Sequence, residues 1–274
     1  MYNFDKLVYT DDFMWEELGV RELPNSLFHY TSVDTLEKII TNKSIRFNRL
    51  DKVNDPEEAL TANLENANTL VFVSCWDDER NESIHMWNMY GDNFKGVRIE
   101  LPIDMFKGRD NIRVYEKGGA MFKYAEMIDI DRKDFSLGMR TSSIFGPNKV
   151  AYVDNRELLI SKAVYEESDF IHVNLYDLGL FKNKYWHIEN EWRYKIIGLM
   201  EEVNYPNDAF TRDILDLKRY PVNQTEIFVQ LDESVFKEMK ITVGPKCNED
   251  DYTKLIHLSN LYNCKLEKSI IQIR

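Results

Sequence analysis

The chain has 274 residues, 43% of them hydrophobic and 13% aromatic, enough for a packed core in one domain and too apolar for wholesale disorder. A formal charge of −12 (35 basic, 47 acidic residues) argues against an extended nucleic-acid or anionic-membrane surface, and no apolar run approaches the ~18 residues of a membrane span. Three cysteines give no disulfide framework, and the acidic amino terminus lacks a signal-peptide pattern, so a reducing cytoplasm is expected.

Residues 1–24 read as a helical segment packed on the core, with Met14, Trp15 and Leu18 on a short amphipathic helix over 11–20. Residues 25–274 read as a single domain, since no repeat, low-complexity tract or linker divides them. Leu27 to Thr31 is a strand, and Val33, Leu36, Ile39 and Ile40 then recur at helical spacing behind Thr31 or Ser32 as N-cap. Ser44 to Phe47 is a short strand, followed by turn-rich "RLDKVNDPEEA". "NTLVFVSCW" (Asn68 to Trp76) has the continuous apolar character of a buried central strand.

Residues 82–90 are expected to be helical and Lys95 to Leu101 extended. The stretch 107–148 holds the least regular structure. "NKVAYV" is a further strand, and one long helix is expected within 155–180. Strands at "EWRYKIIGLM", "TEIFVQL" and "EMKITVG", a helix at about 248–262 and a last strand "KSIIQIR" complete the chain. Without βαβ alternation, the expected class is α+β, with a bent or split, mainly antiparallel sheet surrounded by helices.

Two polar motifs interrupt apolar strands about 160 residues apart, "SLFHYTS" and "WHIENEWRYKIIG". Polar groups inside a sheet are costly unless partnered. His29 has two readings: a core imidazole donating to a backbone carbonyl, or a ligand contact at a strand end where a helix N-terminus begins. Glu189 and Glu191 alternate across Asn190, so in an extended segment they point to one side. The plainer reading is a surface carboxylate pair neutralised by Arg193 or Lys195. The functional reading is an electrostatic stabiliser for positive charge developing on a sugar carbon, with pKa values split for acid/base work. His29 and Glu191 are expected to face one cleft.

Other constellations carry less. Glu82-x-x-His85 and Asp169-x-x-His172 match half of a di-iron pattern, but the bridging carboxylates have no source, and no zinc spacing is present. Cys75 at a strand end is conceivable as a nucleophile, but a lone cysteine is more often a small buried hydrophobe. Trp87 reads as core, while Tyr90 is open to either a core or a ring-stacking role.

Read in order, "HYTSVDTLEKIITNKSIRFN", "NDPEE", "VFVSCW", "MWNMYGDNFKGVRIEL", "KVAYV", "IENEWRY" and "ITVGP" resemble a bacterial family known as domain of unknown function 2971. More distantly, that family is similar to the ADP-ribosyltransferase superfamily. The likeness implies NAD as substrate, bound at the adenosine ribose by His29 with Tyr30 and Thr31 flanking it, and towards the nicotinamide by Ser74 or Tyr90. Glu191 matches the catalytic Glu and Glu189 the substrate-side residue.

The resemblance further implies transfer of ADP-ribose to a macromolecule, by an effector of a bacterial defence or toxin system. A protein acceptor is expected ahead of nucleic acid because the chain is acidic. This sequence departs from the superfamily in having Tyr30 where a small residue is common and no Ser-Thr-Ser triplet after the middle strand. The competing expectation is a non-catalytic module binding a nucleotide or a protein segment on the same fold.

Overall fold

The computed structural model describes residues 8–58, 60–113, 122–125, 127–128, 143–167, 170–198 and 224–274. The chain opens with helix α1 (Asp11–Glu16), capped by the Thr10 hydroxyl, which accepts from the Phe13 amide. Met14 on this helix is buried, and Val8 and Tyr9 donate their backbone amides to the carboxylate of Asp177 at 3.0 and 2.9 Å. Strand β1 (Ser26–Thr31) leads into α2 (Val33–Asn42). Ser32 is its N-cap, accepting from the Thr35 amide, and Lys43 ends it in the left-handed region. Val33, Leu36, Ile39 and Ile40 are all buried, which stabilises the packed helix by roughly 1.5–3 kcal/mol per large side chain.

Strands β2 (Ser44–Arg49) and β3 (Val71–Asp77) follow, then helix α3 (Ile84–Met89) and strand β4 (Val97–Pro102). The stretch 107–148, expected to be irregular, contains β5 (Gly108–Arg113), β6 (Phe122–Ala125), β7 (Met127–Ile128) and β8 (Ser143–Lys149) among its described residues. β9 (Ala151–Val153) completes "NKVAYV" as a separate strand.

The long helix expected within 155–180 is not formed. In its place are one helical turn, α4 (Arg156–Leu159), and a hairpin of β10 (Val164–Glu167) and β11 (Phe170–Val173). Phe170, Ile171 and Val173 belong to the β-branched and aromatic types that favour strands. The side-chain oxygen of Asn63, about 100 residues upstream, also accepts from the Ala163 and Val164 amides and diverts the backbone from helical bonding.

β12 (Phe181–Asn183), a 3-10 helix (Lys184–Glu189) and β13 (Glu191–Ile197) come next. β14 (Glu226–Gln230), β15 (Lys240–Val243), α5 (Glu249–Tyr262) and β16 (Lys265–Lys268) close the order. β16 lies earlier than the expected last strand, pairing in parallel with β15 directly after the left-handed cap Asn263. Beyond it, Ser269 and the Ile270 amide are held by the Glu82 carboxylate instead of by a strand neighbour.

Among the described residues, twelve strands form one mainly antiparallel sheet whose central order is β16-β15-β4-β1-β3-β13-β8-β6-β5, with β2, β7 and β14 joined as a branch. The class is α+β, and the sheet does not close. It forks at β3. β13 pairs along the whole of β3, from Glu191↔Asp77 to Ile197↔Val71. On the other edge, β1 meets β3 only at Phe28↔Asp77, and β2 meets it at Asn48↔Val73 and Arg49↔Phe72. The core lies on the face carrying Trp192, Tyr194 and Ile196, all buried with Phe72, Trp76 and Phe106. No helix among the described residues is long and apolar enough to cross a membrane.

Candidate functional site

The opposite face of β13 carries Glu191, Arg193 and Lys195, exposed by only 4%, 1% and 1%. The two cations can be buried in this row because the segment 174–180 covers them with carbonyls that no helix consumes. Gly179 O accepts from Arg193 Nη1 at 2.7 Å, and Lys195 Nζ donates to Tyr176 O and, at 3.2 Å, to Leu178 O. Neutral carbonyls do not offset the loss of water, and burial lowers Lys195 to about 7, Asp177 opposing and Arg193 adding to the effect.

Around Glu191 these charges join a buried cluster. Arg193 grips its carboxylate with Nε at 2.6 Å and Nη2 at 2.8 Å, and Nη1 reaches Glu58. Lys182, from β12, lies 2.5 Å from Glu189 Oε2, 3.3 Å from Glu191 Oε2 and 3.8 Å from Glu58 Oε2, with Trp186 4.8 Å away beneath its ammonium. Tyr90 donates its hydroxyl to Glu189 Oε1 and accepts from Asn54 Nδ2 at 3.1 Å. The Glu191 amide donates to the Tyr152 hydroxyl.

Two sequence expectations are corrected here. Glu189 and Glu191 do not alternate along one strand, because Glu189 ends the 3-10 helix and Asn190 is left-handed (φ 46). They converge instead on Lys182. The pair is also not at the surface: Arg193 does neutralise Glu191, from inside the protein, whereas Lys195 turns to the carbonyls of 174–180. The two-residue spacing permits the ion pair because the long guanidinium folds back along its own strand.

Among the described residues, the cluster holds three carboxylates (Glu58, Glu189 and Glu191) against two cations (Lys182 and Arg193). Burial pushes Glu191 up to about 7, with Glu189 adding to the rise and Lys182 opposing it, so the cluster as a whole takes up a proton near neutrality. Burial and then Glu189 raise Tyr90, keeping it a donor. Glu191 and Glu189 raise Lys182 although burial works against them. Burial and then Glu191 raise the Cys75 thiol, so it stays protonated and is no nucleophile.

Glu189 is also part of the wall of a pocket of about 230 Å³ between the segment 77–86 and the turn 188–190. The acids Asp77 and Glu79, the amides Asn81 and Asn190, and the apolar side chains Met86 and Ile188 complete most of that wall. Asp77 is 3% exposed. Its Oδ1 accepts from the Glu79 amide, and its Oδ2 has no hydrogen-bond partner. Burial pushes it up to about 7 against Arg98. Arg98 donates its terminal nitrogens to Glu79 O and Arg80 O with its carbon 3.7 Å from the Phe28 ring centre, while its Nε, like Asp77 Oδ2, has no hydrogen-bond partner.

The first motif lies elsewhere. His29 Nδ1 is 2.9 Å from Cys75 O, filling the fork between β1 and β3 where no ladder bond reaches that carbonyl, and its ring packs on Trp76 at 5.2 Å. Burial lowers its pKa, so it is a neutral imidazole donating from Nδ1. Alternation along β3 puts Ser74 and Trp76 on one face and Cys75 and Asp77 on the other, and Cys75 hydrogen-bonds Glu191. His29 and Glu191 thus lie on opposite faces of the sheet, not in one cleft. The plainer reading of His29 describes its contacts.

Ser74 shares the His29 face, accepting from Trp76 Nε1 at 2.9 Å. Tyr30 is buried with its ring edge-on to Trp87, its hydroxyl accepting from the Ser83 amide at 3.1 Å. Thr31 is buried at the end of β1, where its carbonyl leaves room only for hydrogen at Gly96. Trp87 is fully buried, as expected of a core residue. Of the residues expected at the nicotinamide end, Tyr90 alone joins the Glu189 cluster.

Lys182, Glu58 and Asp77 were not legible as site residues. Lys182 reads as one member of a loose basic pair with Lys184, yet it is buried while Lys184 is exposed. Asp77 left a signal, a carboxylate closing the apolar run "VFVSCW". Glu58 left none beside the exposed Glu57. No group of three or more His, Cys, Asp or Glu among the described residues is arranged to hold a metal ion, and Asp169 lies outside the described residues.

Residues 86–194 match the family model described as "Protein of unknown function (DUF2971)". No curated protein and no solved structure matches the chain. The matched region contains Tyr90, Lys182, Glu189, Glu191 and Arg193, while His29, Glu58 and Asp77 fall before it. The match supports the likeness to this family of unknown function.

Proposed function

We propose that the chain binds, against Glu189, a ligand whose contacting group carries positive charge. The observation behind this is the charge imbalance: Glu189 belongs to a buried cluster with one carboxylate in excess, and it is shared with a pocket whose other titratable walls, Asp77 and Glu79, are also acids. A cation entering that pocket offsets a desolvated negative charge, which a neutral ligand cannot do. Methyl NMR of Met86 and Ile188 during titration with guanidinium and with urea tests the reading. Saturable shifts with guanidinium alone are expected, lost in Glu189→Gln. Equal shifts with planar, neutral urea would refute it.

NAD-dependent ADP-ribosyl transfer to a protein is the second reading. The nicotinamide of NAD is a cationic pyridinium, and the ribose carbon becomes positive as nicotinamide leaves, so an acid-rich pocket suits both. β1, β3 and β13, which carry the three resembling motifs, are neighbours in the sheet, but His29 and Ser74 face away from Glu191 and take no part in this pocket. The resemblance gives the ribose to Glu191 and the substrate side to Glu189; in this arrangement the roles exchange, because Glu189 lines the pocket while Glu191, held by Arg193, positions the cluster. Incubation with NAD and cell lysate, read by mass spectrometry for transferred ADP-ribose, checks the reading; transfer that survives Glu189→Gln would remove Glu189 from it.

A further inference from the structure

We infer that the Glu189 pocket is a docking site for a partner protein, into which a lysine or arginine side chain flanked by apolar residues inserts. This rests on the cation-binding reading above and adds the class of partner. Three features of the site carry it, the first being the charge of the walls: Asp77, Glu79 and Glu189 line one pocket, and the titratable described residues that line it are all acids.

The second feature is Asp77 itself. It is nine-tenths buried at the pocket wall, with a carboxylate oxygen that no described group satisfies. A buried acceptor left alone is costly, and a donor that enters the pocket would relieve it where the unpaired Nε of Arg98 does not.

The rim is the third. Ile188 lines the pocket and is 39% exposed, and Tyr185, 80% exposed, lies one turn before it on the same face of the 3-10 helix. Across the pocket Met86 lines the wall, and Met89, three residues on and 41% exposed, continues that face of α3. Apolar side chains on two sides of an acidic pocket match the anatomy of a protein–protein anchor, where surrounding contacts exclude water from a central charged side chain. A free amine or metal ion has no use for such a rim. The aliphatic stem of lysine or arginine does, since it packs on Met86 and Ile188 while its head reaches the carboxylates.

The test uses the full chain and blocked tripeptides, Leu-Lys-Leu and Leu-Arg-Leu, beside versions with acetyl-lysine or citrulline at the centre and versions with glycine flanks. The cationic, leucine-flanked peptides should bind at least tenfold tighter than either control set. Tyr185→Ser and Met89→Ser, both at exposed positions outside the pocket wall, should weaken the peptides while leaving guanidinium binding unchanged, and Glu79→Gln should weaken both. Glycine-flanked peptides binding as well as leucine-flanked ones would overturn docking and leave a small-cation site. Neutral peptides binding as well as cationic ones would overturn the charge argument. Absence of guanidinium binding, by contrast, defeats the underlying cation reading.

Discussion

Asp77 and Glu191 are direct cross-strand partners at one end of the β3–β13 ladder, two acids in register on one face, each pushed up to about 7 by burial. Like charges directly opposite one another destabilise a sheet. Their neighbours differ: Glu191 is gripped by Arg193 and Lys182, whereas Asp77 keeps a free oxygen beside the pocket. The excess negative charge is therefore concentrated where a ligand can relieve it.

Asp77→Asn should stabilise the protein, and increasingly so as pH rises. The folded-state pKa, about 7, lies above the ordinary 3.8. Its stabilising contribution is therefore complete below the unfolded pKa and is lost as pH climbs towards 7. The shift corresponds to at most about 4 kcal/mol. Urea unfolding of both proteins at pH 4 and pH 8 should show the gap widening; a gap independent of pH would contradict the buried-charge account.

Cation binding should follow the same titration with the opposite consequence. As Asp77 and the Glu191 cluster lose protons near 7, guanidinium affinity should rise from pH 6 to pH 8. A bound cation should in turn draw those groups downward, so binding at pH 7 should release protons to buffer, measurable by calorimetry in buffers of different ionisation enthalpy.

Arg193→Met leaves Glu191 and Glu58 without their shared guanidinium. Removing one partner of a buried pair costs about 3–5 kcal/mol, and thermal or urea unfolding should register that loss. Arg193→Lys should recover little, because a single ammonium cannot reproduce bonds to Glu191, Glu58 and Gly179 O together.

Gly179→Ala should destabilise the cover over β13. The residue sits at φ +73, and a methyl there would stand 2.9 Å from Leu50 Cδ2 and 3.3 Å from Arg193 Nη1. Left-handed strain plus displacement of the carbonyl from Arg193 predicts a loss of about 1–3 kcal/mol in urea unfolding.

His29→Ala should cost stability without touching the pocket. It strands the Cys75 carbonyl and removes a ring from Trp76, for about 1–3 kcal/mol. Guanidinium binding should be unchanged. A selective loss of NAD binding in a stably folded variant would return His29 to the ligand-contacting role that its motif resembles.

Local chemistry alone determined a good part of this protein. The Ser32 cap and the 3.6-residue spacing of Val33, Leu36, Ile39 and Ile40 specify α2, because both act within a few residues. The apolar run of β3 marks it as central for the same reason, and the absence of βαβ alternation marks the α+β class. The relation between motifs was decided elsewhere. Whether His29 and Glu191 share a cleft depends on the fork at β3 and on which face each strand turns inward. Lys182, Glu58 and Asp77 enter the site from separate stretches of chain, and the hairpin at 164–173 prevails over helix through an asparagine about 100 residues away. Side-chain periodicity reports only that one face of an element differs from the other. Which face meets charge, core or solvent is settled by partners that arrive through long-range pairing.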